Sequence, residues 1–484
     1  MWRGIPYAAP PVGPLRFRAP RPVVGWDGIR DATHFGPVAP QDRQGQFTGP
    51  PTGVPMSEDC LTINVIAPSG GQELPVMVWI HGGAYSVGSA REVRRQGEAL
   101  VAGGVLFVSF NYRLGALGYL DFTSFSTHER QFEANLGLRD QVAALEWVRD
   151  NIRAFGGDPD NVTLMGESAG ANAVTTLMTI PSAGGLFARA IAESPPPNAI
   201  YPPELTATWA GEFVELLSEL VDDSSTDSTS PENAGELLGS AAFSDLVAAT
   251  TRLQRLIPDQ YPGTIALCPV IDGDFLPERP LDAFKAGRAH AVPLIIGTND
   301  REGSLFRGRL DILATTPPRI RAIFARTRKK ARKAVKAQYP GLPARRPAAD
   351  FGGDYAFWYP TVKVAERHAR FAPVYFYRFD IAPRLVRLAG LDATHGLEMF
   401  ALFDLMDGTF GRTLGLLGGR RAFKRAGARM RRHWLAFARG SAPEGWPKYS
   451  RRSRRTLIID RVDRVEEDPR AERRIAWQEF VPHV

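Results

Sequence analysis

The chain has 484 residues, 44% of them hydrophobic, and a formal net charge of +7 with a pI near 9.4. A chain of this length and composition lies in the globular range and can bury a large core. No apolar run approaches the ~20 residues of a membrane span, and two cysteines, Cys60 and Cys268, exclude a disulfide framework.

The N-terminal MWRGIPYAAPPVGP has no charged-then-apolar leader, so a cytoplasmic protein with two buried reduced thiols is expected. Pro- and Gly-rich turns fill the chain up to about residue 60. LTINVIAP, PVMVWIHGG and LFVSFNYR follow, short apolar runs without polar alternation, as in strands buried on both faces. After PVMVWI, Gly82-Gly83-Ala84 reads as a tight turn, or as a place where backbone N–H groups approach a substrate oxygen. LGLRDQVAALEWVRDNIRAFGGDP is a helix. Leu138, Val142, Leu145, Val148 and Ile152 recur at helical spacing, and Gly156-Gly157 with Pro159 stop it.

VTLMGESAGANAV then carries a strand through Gly166-Glu167-Ser168-Ala169-Gly170 into small residues suited to a helix. A sharp strand-to-helix turn strains its central residue, and flanking glycines let strand and helix pass closely. The Ser168 hydroxyl would stand clear of the sheet's carboxyl edge. The free N–H groups of the next helix would face negative charge developing beside it. A serine needs a base to become a nucleophile at neutral pH, and turns of this kind use the order Ser, acid, His.

RAIAES and VPLIIGTND give further buried strands, and 222–236 between them, DDSSTDSTSPENAGE, is expected to be a mobile surface loop. Asp300 and Glu302 both leave the end of VPLIIGTND, and pattern alone does not choose between them. The basic stretch 319–338 has an apolar stripe of Ile320, Ile323 and Phe324 and no interleaved aromatic residues. It reads as a solvated helix face, with no nucleic-acid partner. His368 and His433 lie in helical patterns, and His483 lies next to the last residue. His395, in GLDATHGLEMF, follows the strand PVYFYRFD in a loop, the kind of place where sites form beyond parallel strands. Strands alternating with helices predict an α/β protein with a mostly parallel sheet.

These stretches resemble the type-B carboxylesterase/lipase family, the cholinesterase-like α/β-hydrolases, and among them bacterial p-nitrobenzyl-type esterases. RGIPYAAPPVGPLRF, SEDCLTINV, WIHGGAY, NYRLGALGYL, the block from NLGLRDQ to GESAGA, PVIDGDFLP, GTNDREGSLF and THGLEMF occur in family order. The resemblance implies an α/β-hydrolase fold with a nucleophile elbow at Ser168, Glu302 as the triad acid and His395 as the base. It aligns Gly83, Ala84 and Ala169 with oxyanion-hole donors and makes Gly82 and Glu167 supporting residues. It implies a serine carboxylesterase that hydrolyses small-molecule esters through an acyl-enzyme, without cofactor or metal. It further implies one elaborated domain over 1–484, with 195–290 and 305–370 as helical insertions lining or covering an active-site gorge. The segments Asp350–Trp358 and around Tyr201 are read as walls of the acyl pocket.

A lipase acting at an interface would need an apolar lid, which the sequence does not reveal. A non-catalytic adhesion relative would lack the nucleophile. The chain departs from the family by beginning almost on the GIPYA block, so an upstream start or a missing sheet edge is expected. Cys60 stands where secreted relatives often place a disulfide, yet no cysteine precedes it. Between Asp42 and Cys60 there is no tryptophan to stack on a quaternary ammonium, so a choline ester is not the expected substrate. Activity is expected to fall in acid near the ordinary histidine pKa of ~6.5.

Overall fold

A computed structural model describes residues 1–42, 50, 53–92, 97–221, 230–306 and 311–480. Its strands are β1 (Trp2–Pro6), β2 (Thr62–Ile66), β3 (Leu74–Ile80), β4 (Leu106–Phe110) and β5 (Gly157–Glu167), then β6 (Arg189–Glu193), β7 (Leu294–Asn299), β8 (Val374–Phe379), β9 (Arg455–Ile459) and β10 (Arg464–Glu467). They form one ten-stranded sheet in the order β1-β2-β4-β3-β5-β6-β7-β8-β9-β10. From β4 to β9 all neighbours are parallel, and only the two edges are antiparallel.

The apolar runs without alternation become strands because both faces of the sheet are covered. Along β3, Val76, Val78 and Ile80 enter one core, while Met77 and Trp79 enter the other. The helix Leu136–Asn151 packs Leu138, Val142 and Leu145 on the first face. On the second, the helix Arg420–Ala438 packs Phe423, Met430 and Trp434. The first of these helices ends as its sequence requires, with Gly156 at φ 88° closing a last 3₁₀ turn.

Register brings the functional loops to one rim. Ile80 lies beside Gly166, Glu167 beside Glu193, Glu193 beside Gly297, and Asn299 beside Phe379. Whatever leaves β3, β5, β6, β7 and β8 therefore leaves at the same carboxyl edge, where ligands bind in sheets of this kind.

Two expectations need correction. Within 222–236, residues from Pro231 onward are helical in Pro231–Ser240, because the Ser230 hydroxyl accepts from Asn233 N–H at 3.3 Å and caps that helix; 222–229 lie outside the described residues. The basic stretch 319–338 is two helices, Pro317–Ala325 and Lys329–Ala337, although Ile320, Ile323 and Phe324 are buried as their stripe requires. β1, which carries the start of the GIPYA block, pairs antiparallel with β2. Cys60 and Cys268 are both buried and free. Among the described residues no helix is long and apolar enough to cross a membrane.

Candidate active site

Ser168 ends β5 and opens the helix Ala169–Leu177 with φ 58° and ψ −123°. A non-glycine residue holds such a backbone only where its surroundings enforce it. The flanking glycines are part of that enforcement. A Cβ on Gly170 would lie 2.1 Å from the Ile80 carbonyl oxygen, and one on Gly166 would lie 2.6 Å from the Gly170 carbonyl carbon. The Ser168 N–H donates to the Glu193 carbonyl at 2.9 Å, tying the turn to β6.

The structure brings His395 to this serine across 227 positions, with Nε2 at 2.8 Å from Ser168 Oγ. The other ring nitrogen, Nδ1, lies 2.6 Å from Glu302 Oε2. The second Glu302 oxygen accepts the Asn299 N–H at 2.6 Å, which fixes the carboxylate. Asp300 points elsewhere: it is bound by Arg470 at 2.8 Å and Arg378 at 3.5 Å, which lower its pKa against the upward push of burial. Of the other histidines, His368 Nε2 is 2.8 Å from the Val292 carbonyl oxygen and His433 rests its ring on Trp446. His483 lies outside the described residues.

The acid and histidine loops are tied to each other. The Arg301 N–H donates to the Ala393 carbonyl at 3.0 Å. Its buried guanidinium donates to Asp350 at 2.8 Å, to Asp392 at 2.7 Å and to the Gly390 carbonyl at 3.1 Å. Ser304 Oγ lies 2.6 Å from the Leu391 carbonyl oxygen and 2.7 Å from Thr394 Oγ1.

Gly82, Gly83 and Ala84 lie against the elbow. A Cβ on Gly82 would fall 3.1 Å from that of Ser168, and Gly83 and Ala84 have φ of 115° and 50°. The Gly83 carbonyl accepts from the Ser86 and Val87 N–H groups, which holds the turn. Among the described residues the N–H groups of Gly83, Ala84 and Ala169 have no protein acceptor. Three donors of this kind beside a serine suit an oxygen that gains charge.

Around Ser168, His395 and Glu302 lies a buried set of carboxylates that sequence reasoning largely missed. Glu167 Oε1 is 3.3 Å from His395 Nε2. Burial pushes the Glu167 carboxyl up to about 7, with His395 pulling it down and Glu302 pushing it up. Glu398 is driven to about 8 by burial and by Glu167 and Glu302, and Glu193 is raised by burial and by Glu398. Glu398 accepts from Ser194 at 3.0 Å and from Asn299, and Glu193 accepts from the Trp434 indole at 2.9 Å. Burial alone would lower His395, but Glu167 and Glu302 outweigh it and raise its pKa to about 9. The signal for Glu398 was present in THGLEMF, a lone acid in an apolar run on the first turn after His395.

Phe357, inside the segment Asp350–Trp358, and Phe306, which sequence reasoning missed, have ring centroids 4.4 Å and 5.1 Å from that of His395. They join Leu313 and Ala356 in one apolar cluster. Ala356 and Leu313 in turn line a cleft with Ala199, Tyr201, Ile265 and Tyr355. Residues of both segments read as pocket walls line this cleft, which the apolar cluster of Phe306 and Phe357 joins to His395. Among the described residues no grouping of His, Cys, Asp and Glu is arranged to hold a metal ion.

The family model for the carboxylesterase family matches residues 1–477. The chain is 36% identical to a para-nitrobenzyl esterase of Bacillus subtilis (strain 168), over 98% of this chain and 94% of that protein. It is 33% identical to a fumonisin B1 esterase of Sphingopyxis macrogoltabida, over 93% and 81%. Among solved structures it resembles a thermophilic p-nitrobenzyl esterase with a TM-score of 0.85 at 35% identity, covering 99% of this chain and 95% of that one. A Geobacillus stearothermophilus carboxylesterase gives 0.81 at 32% identity, over 99% and 96%. With a family model spanning nearly its whole length, the chain belongs to the carboxylesterase family and is a carboxylic-ester hydrolase of the α/β-hydrolase fold.

Proposed function

We propose that Ser168, His395 and Glu302 perform the hydrolysis as nucleophile, base and orienting acid. The observation that carries this reading is the unbroken chain of contacts from Ser168 Oγ through both nitrogens of His395 to Glu302 Oε2. His395 Nε2 takes the hydroxyl proton as Oγ attacks the ester carbonyl, then returns it to the departing alcohol. Water, deprotonated by the same nitrogen, releases the acid from the acyl-enzyme. Glu302 fixes the ring with Nδ1–H toward it and stabilises the imidazolium. The N–H groups of Gly83, Ala84 and Ala169 receive the tetrahedral oxyanion, each worth roughly 3 kcal/mol.

The substrate is a small carboxylic ester whose one side occupies the cleft lined by Tyr201, Ile265, Leu313 and Tyr355. The chain works as one domain whose helical segments 195–290 and 305–370 roof this cleft; wall residues drawn from both segments support that division. Two buried free thiols support a cytoplasmic location. Ser168→Ala should lower turnover by about 10⁶. Retention of near-native hydrolysis by the purified variant would overturn the assignment.

A further inference from the structure

Large apolar side chains stand exposed near the rim that carries His395. Beyond β8 the chain forms the short helix Arg384–Leu388, the His395 loop, and then the helix Thr409–Leu414, which runs into a glycine turn. In these segments Leu388 is 68% exposed, Leu416 73%, Leu417 50% and Phe410 43%. Leu416 and Leu417 form the tip of the turn, ahead of Gly418 and Gly419 at φ 98° and 90°. The segments make one surface: the Arg384 N–H donates to the Gly418 carbonyl at 3.2 Å, and the Phe410 ring packs on Phe400.

Scattered exposed leucines need no explanation, but a cluster of them in adjoining segments does. Its charge setting says what covers it. Arg384, Arg387 and Arg412 are exposed in the same segments, and Arg421 and Arg425 on the first turns of the helix Arg420–Ala438 that follows; among the described residues none of them is in a salt bridge. The nearby acids Asp404 and Asp407 are already held by Lys424 and Arg420. Apolar tips beside cations that have no carboxylate partner, Arg387 donating only to the Ala382 carbonyl at 3.3 Å, match a lipid surface with anionic head groups: leucines enter the acyl boundary, and guanidinium groups meet phosphate.

We propose that this face docks the enzyme on an anionic lipid surface. The His395 loop lies between the two helices in the chain, and docking holds the enzyme on a surface into which esters partition. The proposal goes beyond hydrolysis itself, because the surface contains none of the triad.

The test is cosedimentation of the full chain with phosphatidylglycerol vesicles and with phosphatidylcholine vesicles, at low and high salt. Binding is expected to the anionic vesicles alone and to weaken with salt. The double variant Leu416→Asp/Leu417→Asp should bind about tenfold or more weakly, while hydrolysing a dissolved short-chain ester like the parent. Arg384→Gln/Arg387→Gln/Arg412→Gln, which leaves the leucines in place, should also lose affinity. Failure of the parent to bind anionic vesicles at low salt, or equal binding by the leucine variant, would overturn the proposal. A dimer that the leucine variant dissolves, without vesicle binding by the parent, would assign the face to a second copy instead. Because binding is read without any ester, failure here is separable from failure of the triad assignment.

Discussion

At the scale of single residues, the proton on His395 is biased by the carboxylate of Glu167, the residue before Ser168. Glu167 Oε1 lies 3.3 Å from Nε2, and its negative charge favours the imidazolium. Catalysis needs the neutral ring, so kcat/KM should be lost as pH falls through the His395 pKa. That pKa is raised above the ordinary 6.5, to about 9, so the acid limb should lie above 6.5 and not at it. The expectation of an unperturbed limb left out a carboxylate one residue before Ser168. Glu167→Gln removes the charge that raises the pKa, so its limb should move to lower pH. A kcat/KM profile measured with a dissolved ester checks this, and coincident limbs would show that Glu167 does not bias the base.

Among the elements, the loops after β7 and β8 act as a pair. Arg301 spans them, its backbone bound to Ala393 and its guanidinium to Asp350, Asp392 and the Gly390 carbonyl. Lysine keeps the charge but not the planar fork that reaches several acceptors at once. Arg301→Lys should loosen the His395 loop and lower kcat by up to about 10², with little change in KM. Steady-state kinetics separate the two, and an unchanged kcat would leave the clamp without a catalytic consequence. How well elements can be read from sequence follows their burial. The runs VMVWI, LFVSF and LIIGTN are strands buried on both faces and announce themselves by lacking polar alternation. β1 hides behind the Gly4 and Pro6 of a turn-like sequence, and β10, RVEE, has no buried residue. β9 and β10 form an Arg-rich edge hairpin, where a short apolar run between charged neighbours looks like surface. The helix at Pro231 was concealed by the polar stretch before it, although Ser230-Pro231 is an N-cap followed by an N1 proline.

For the whole molecule, the parallel register does what no single motif can. It delivers Gly82–Ala84, Ser168, Glu302 and the His395 loop to one edge, although they lie on β3, β5, β7 and β8. The sequence offered Ser168 and His395 through local context, but Asp300 and Glu302 differ only in which way they leave β7. That difference is set by Arg470 and Arg378, which bind Asp300 and lie far away in sequence. The meeting of Glu193 with Glu398 was invisible for the same reason, since it exists only once β6 and the helix after His395 are packed. The account rests on one serine being made nucleophilic by that convergence. Reaction of the intact enzyme with a fluorophosphonate, followed by peptide mass mapping, tests it directly. One adduct, on Ser168 and lost in His395→Ala, is the predicted result; an unlabelled protein that still hydrolyses esters, or an adduct on another residue, would contradict it.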